Sequence, residues 1–234
     1  MSFIEEFKKI KGSGVYVLLA VLLLLPICVQ GVLGLGPVVT DYKYYVTTFG
    51  LFCRLFLSVA IGLLISLSFY NEYRRKGYLN VILNGHSFPN LLINKMLFFY
   101  TFMLTYLFIA LFISVGFQLF DGSHISQYYK ELLISFMFLF ITCILLINVH
   151  MFLCMIFNHQ PMISLIISVL CSFLNVFIVS TPYWIVFPWS YPTRILYFTS
   201  LNTLDFVIIL LITICSSLLI LYYNSIYLRK KQLI

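Results

Sequence analysis

The chain has 234 residues, of which 62% are hydrophobic and only 9% charged, with a formal net charge of +7. So much apolar surface exceeds what one or two soluble domains of this length can enclose, which excludes a water-soluble globule and makes lipid part of the solvent. Backbone polar groups have no water to bond in hydrocarbon. The apolar runs, each about 20 residues, must therefore be helices, since a barrel strand would alternate over roughly 10.

In chain order, residues 1–12 come first and read as an interfacial amphipathic helix. Phe3, Ile4, Phe7 and Ile10 share one helical face, and Ser2 and Glu5 have capping-box spacing. Lys8, Lys9 and Lys11 would then meet anionic headgroups; a plain basic topology anchor is the alternative. Six spans follow: Val15 to Gly36, Leu51 to Tyr70, Met96 to Phe117, Leu132 to Phe157, Ile163 to Ser180 and Phe206 to Leu228. The first run is too long for a secretory signal and lacks a small-residue cleavage site. The fold class expected is an all-α integral membrane protein forming a single transmembrane domain, with no internal repeat.

Lys8, Lys9, Lys11, Arg74, Arg75, Lys76, Lys95, Arg229, Lys230 and Lys231 all fall in alternate connecting segments. The other side carries only Lys43, Lys130 and Arg194, offset by Asp41, Asp121, Glu131 and Asp205. Positive residues are retained in the cytoplasm, so both termini and the loop after the second span are expected there. The net charge is a topology signal and gives no reason to expect nucleic acid.

Little in the chain carries chemistry of its own. There is no G-x-x-x-x-G-K-[ST], so no nucleotide-binding motif. Gly31, Gly34 and Gly36 lead into Pro37 and read as helix termination. His86, His124, His150 and His159 form no HExxH pattern, and the six cysteines show no CxxC pairing and lie almost entirely in apolar runs. No catalytic residue, metal site or bound cofactor is expected.

Polar residues inside spans deserve weighing, because a charge at mid-bilayer costs about 3 kcal/mol or more. Arg54 is the only charged residue within the expected spans and sits near the outer end of the second, where it either snorkels to the interface or meets cargo. Asn148 and His150 fall in the cytoplasmic half of the fourth span and Asn175 in the outer part of the fifth. These four are the candidates for a translocation path, with interhelical hydrogen bonding as the alternative. Between spans five and six, Thr181 to Thr193 carries Tyr183, Trp184, Trp189 and Tyr191, aromatic anchors for the outer interface or elements of a gate. Asn202 and Asp205 have the spacing of a helix cap for the last span.

The longest cytoplasmic loop, Asn71 to Lys95, holds a short apolar segment, Tyr78, Val81, Ile82 and Leu83, between the Arg74-Arg75-Lys76 cluster and Pro89. A loop of that length with its own helix is usually a contact device, with a solvated connector as the alternative. Glu72, Gly77, the apolar stretch, Pro89 and Lys95, set among six spans and an N-terminal interfacial helix, resemble the permease subunit of type-2 ATP-binding-cassette exporters. Tyr78 stands where that family usually has Thr.

The resemblance implies a half-transporter: two permease chains, identical or related, on two copies of a separate ATPase that binds ATP and Mg. It makes Tyr78 to Gly85 a coupling helix seated on the ATPase, with Glu72, Gly77, Tyr78, Val81, Ile82 and Leu83 as the coupling residues, and gives Thr181 to Thr193 the place of the outer helices that cap the exit. Small permeases without large outer domains are similar to those serving lantibiotic immunity and peptide-toxin export, which implies an amphipathic peptide as cargo. A membrane sensor, channel or anchoring subunit without an ATPase is the alternative function.

Overall fold

A computed structural model describes residues 15–34, 46, 49–74, 88–120, 129–157, 160–197 and 203–231. Among these the chain is helical with no strand. Helix α1 covers Val15–Gly34; a π-helical turn, Phe52–Phe56, runs into α2, Leu57–Arg74; α3 covers Phe88–Phe120; α4 covers Tyr129–Ile156; and α5 covers Met162–Ile178. Two 3-10 turns, Pro182–Val186 and Pro188–Ser190, lead to a short α6, Tyr191–Leu196, and α7 covers Thr203–Lys231. The proposed interfacial helix at residues 1–12 lies outside the described residues, as does Asn202 of the proposed cap.

Three helical stretches, Phe49–Glu72, Leu92–Phe117 and Lys130–Ile156, are long and apolar enough to cross a membrane, and Ala20–Val29, Met162–Ile178 and Leu204–Ile220 are shorter apolar helices. Several helices run past the limits that hydropathy set. Helix α2 continues to Arg74, and α3 begins at Phe88, eight residues before the Met96 start read from the sequence. Pro89 does not prevent this early start. It occupies the first turn of α3, where a proline gives up only an amide that has no helical partner anyway.

Helix α4 is the centre of the bundle. It packs against α2, α3, α5, α6 and α7, and Leu139, Cys143, Leu146, Ile147, Met151 and Cys154 along it are fully enclosed. Helix α5 is built the other way round. Its enclosed face is Ser164, Ser168, Ser172 and Asn175, while Ile166, Leu170, Phe173, Leu174 and Phe177 point outward. Lipid solvates that outward face as well as a core would, so close backbone approach and hydrogen bonds drive the packing.

Helices α2 and α5 run antiparallel with their polar edges together. Ser168 Oγ donates to the Ser58 carbonyl at 2.6 Å and lies 3.1 Å from Ser58 Oγ. One turn along α2, Gly62 leaves no room for a side chain: a Cβ there would fall 2.6 Å from Ser168 Cβ. That atom is fixed to the α5 backbone, so it cannot swing aside and the helices would have to part. Gly62→Val should therefore lower stability by about 1–3 kcal/mol, the usual cost of overpacking. Thermal unfolding in detergent measures this, and Gly62→Ala paired with Ser168→Gly should recover most of the loss seen with Gly62→Ala alone.

Candidate functional site

At one end of the bundle Glu72, in the last turn of α2, meets Lys95, two turns into α3. Lys95 Nζ donates to Glu72 Oε2 at 2.5 Å. The lysine is 0% exposed and its ammonium also sits 4.1 Å from the centroid of the Phe69 ring, so the charge is held by a carboxylate on one side and an aromatic face on the other. The sequence places both residues in the cytoplasmic loop from Asn71 to Lys95. Helix extension carries both charges into the protein, where Lys95 is one partner of Glu72 within the chain. Arg54 is accordingly not the only charged residue in the helical bundle.

This ion pair ties together the helices on either side of residues 75–87. Gly77, Tyr78, Val81, Ile82 and Leu83 lie in that segment, outside the described residues. The described parts of the old loop are thus its two helical bases, and these are joined by a clamp.

The residues considered for a path separate into two networks. Asn148 accepts from Tyr100 Oη at 2.5 Å and donates to Ser217 Oγ at 2.6 Å, binding α4 to α3 and α7. His150 is two residues further along α4 and faces α5. Its Nδ1 lies 2.9 Å from Ser164 Oγ, and Ser164 Oγ donates to the His150 carbonyl at 3.3 Å. Trp189 approaches from the segment between α5 and α7, its Nε1 donating to His150 Nε2 at 3.4 Å with the rings 6.0 Å apart and edge-on. An indole can only donate, so Nε2 accepts and the imidazole carries its proton on Nδ1, directed at Ser164.

Arg54 and Asn175 come together at the opposite end from Glu72. Asn175 Nδ2 donates to the Arg54 carbonyl at 3.0 Å and to Thr193 Oγ1 at 3.2 Å, joining the π turn, α5 and α6. The seam between α2 and α5 thus runs from Arg54 and Asn175 through Ser58, Ser168 and Gly62, and α4 adjoins it with His150 and with Cys154, whose Sγ is 4.0 Å from Ser66 Oγ.

The aromatic segment folds on itself. Ser190 Oγ donates to the Trp184 and Phe187 carbonyls at 2.8 and 2.7 Å, and Tyr191 Oη donates to the Ile185 carbonyl. Trp184 and Tyr191 stack edge-on at 6.0 Å and are buried. Trp189 is half-buried on His150, and Tyr183 is the exposed member, at 73%. The four aromatics therefore play different parts: two form a core, one reaches into the bundle and one faces outward.

Sequence reasoning missed Lys95 as the partner of Glu72, and also Tyr100, Ser217, Thr193 and the serines of α5. The four-residue spacing of Ser164, Ser168 and Ser172 was the available signal for a close helix contact. A family model described as ABC-2 family transporter protein matches residues 3–175. No curated protein and no solved structure matches the chain.

Removing one member of a buried ion pair leaves the other charge uncompensated, at a cost of about 3–5 kcal/mol, whereas replacing both by apolar groups is often neutral. Lys95→Met should therefore destabilise strongly, and the double variant Glu72→Leu, Lys95→Met should regain most of the loss. Unfolding in mixed micelles reads both. An equal loss in the double variant would show that charge compensation is not what Lys95 provides.

Proposed function

We propose that this chain, which belongs to the ABC-2 family of transporter proteins, is the membrane subunit of an exporter for amphipathic peptides, driven by ATP hydrolysed on two copies of a separate ATPase. Family membership makes it a membrane subunit of an ABC transporter and implies the partner ATPase. Export, the peptide cargo and the copy number belong to the proposal.

The observation that carries the reading beyond the family is the Glu72–Lys95 clamp. A loop that transmits work needs firm bases, and a buried ion pair between α2 and α3 supplies them on either side of residues 75–87. On this reading Gly77, Tyr78, Val81, Ile82 and Leu83 engage a groove of the ATPase. The cation bias puts this loop and both termini in the cytoplasm, and Pro182–Leu196 on the outer side as a plug held by Trp189 on His150. Aliphatic and aromatic walls suit a membrane-partitioned peptide, because they grip without a fixed polar code. ATP and Mg bind the partner, and a second permease chain completes the particle by symmetry.

Single cysteines placed at Arg75 and Ser123 test the orientation: an impermeant thiol reagent applied to intact cells should label the second and spare the first. Coupling is tested by copurifying the ATPase and measuring cargo-stimulated ATP hydrolysis. Tyr78→Ala and Ile82→Ala should each weaken ATPase association by about 1–2 kcal/mol, as anchors at small interfaces do. Full association and transport in the double variant would remove this loop as the coupling element, and the absence of any associated ATPase would remove the transporter reading.

A further inference from the structure

The span that ends at Glu72 changes its winding near its start. Residues 49–51 are α-helical, but Phe52–Phe56 is a π turn, in which the Leu57 amide donates to the Phe52 carbonyl, five residues back instead of four. Such single turns are rare and frequently mark functional positions. The run Phe-Cys-Arg-Leu-Phe contains no proline or glycine that would force the wider winding, so its cause lies in what the turn touches. The Asn175 amide of α5 donates to the Arg54 carbonyl, inside the turn, at 3.0 Å, and to Thr193 Oγ1 of α6 at 3.2 Å. Among the described residues Asn175 Oδ1 and Arg54 Nε are enclosed without partners. A buried polar group left so calls for an explanation: the observed winding keeps an acceptor and a donor idle on the two residues that meet at the turn.

The flanks of the turn differ in how they are held. After it α2 is pinned, since the Ser58 carbonyl accepts from Ser168 and Gly62 fits closely against Ser168. Before and within it, Phe49 and Phe52 pack edge-on at 5.8 Å and, with Cys53, are buried. Releasing the extra residue of the turn into regular helix rotates the preceding segment by about 100° and advances it by about 1.5 Å. Lipid solvates aromatic rings much as a protein core does, so turning this face outward loses little apolar contact. The polar bonds at Asn175 then decide which winding is held.

We propose that Phe52–Phe56 is a register hinge, latched by the Asn175 amide, whose relaxation to α-helix carries Phe49, Phe52 and Cys53 out of the core while α2 from Ser58 onward stays in place. The latch also bonds α6 through Thr193, so movement of the segment between α5 and α7 releases it. The hinge requires neither ATP nor cargo and stands apart from the exporter reading.

Cys53 is a native reporter of the rotation. The full chain in nanodiscs is treated with a membrane-permeant maleimide, and modification of Cys53 is timed by mass spectrometry of its peptide. Asn175→Leu, which removes the latch at similar volume, should speed modification about ten-fold, and the milder Thr193→Val about three-fold, the range expected for lost neutral hydrogen bonds. Ser168→Ala breaks the bond to the Ser58 carbonyl, beyond the hinge, and should leave the rate within about two-fold. Deleting Leu55 turns the Leu57-to-Phe52 bond into an ordinary α-helical one, so no extra residue is left to release. That deletion should keep or raise the melting temperature, and combined with Asn175→Leu it should return Cys53 to wild-type protection. Unchanged modification in both Asn175→Leu and Thr193→Val overturns the latch. Ser168→Ala as fast as Asn175→Leu, or Cys53 still fast in the combined variant, overturns the hinge in favour of general loosening. A Leu55 deletion that fails to fold overturns the register shift.

Discussion

A polar atom in hydrocarbon has no water to return to, and that constraint shapes the seam between α2 and α5. Ser58, Ser168, Ser172 and Ser164, the Asn175 Nδ2 and, from α4, His150 satisfy one another or nearby carbonyls. They can do so only because Gly62 lets the backbones approach. In water a serine can point outward and lose little. Here each hydroxyl that failed to find a partner would carry the cost of burying an unpaired polar group, on the order of several kcal/mol in an apolar medium. Helix register and polar pairing are therefore one requirement: sliding α5 along α2 by a turn would strand several groups together.

The Glu72–Lys95 clamp obeys the same constraint at higher stakes. Two charges leave water, and their attraction repays the desolvation only when geometry is close and remaining sites are occupied. A hydrogen bond of 2.5 Å and an aromatic ring beneath the ammonium meet those conditions. Such a pair is a weak source of net stability but a strong source of specificity, because any arrangement that separates α2 from α3 exposes an unpaired charge to the protein interior. The pair thus joins those helices at this end, as the proposed coupling role of residues 75–87 would require.

Much of the architecture was legible in the sequence. The apolar runs give the helices because lipid-facing and core-facing residues are alike in composition, and the family was legible in the loop from Glu72 to Lys95. Helix ends were less so. Hydropathy stops at the first charge, whereas Glu72 and Lys95 continue their helices by pairing across 23 residues of sequence, which no local window registers. The site candidates show the same limit. Arg54, Asn148, His150 and Asn175 stand out individually as polar residues in apolar runs, but their grouping depends on which helix faces which. Asn148 and His150, two apart on α4, point to different neighbours, and only contact geometry separates them into different networks.

The contact between Trp189 and His150 relates the two ends of the molecule. Trp189 belongs to a segment whose remaining bonds are almost all internal or to the end marked by Arg54 and Asn175, yet its indole reaches a histidine bonded to Ser164 near the start of α5. At 3.4 Å with an edge-on ring this is a long, neutral contact, weaker than the charged clamp at Glu72. The bundle is thus fastened unequally: α2 and α3 by charge, α2 and α5 by short neutral bonds, the aromatic segment by two longer neutral bonds, Trp189 to His150 and Asn175 to Thr193, and by packing. On the proposed reading, a displacement entering through residues 75–87 would move α2 and α3 together, pass to α5 along the serine bonds, and yield first where the fastening is weakest, at Trp189. The gradient in bond strength would then give the order of events in opening.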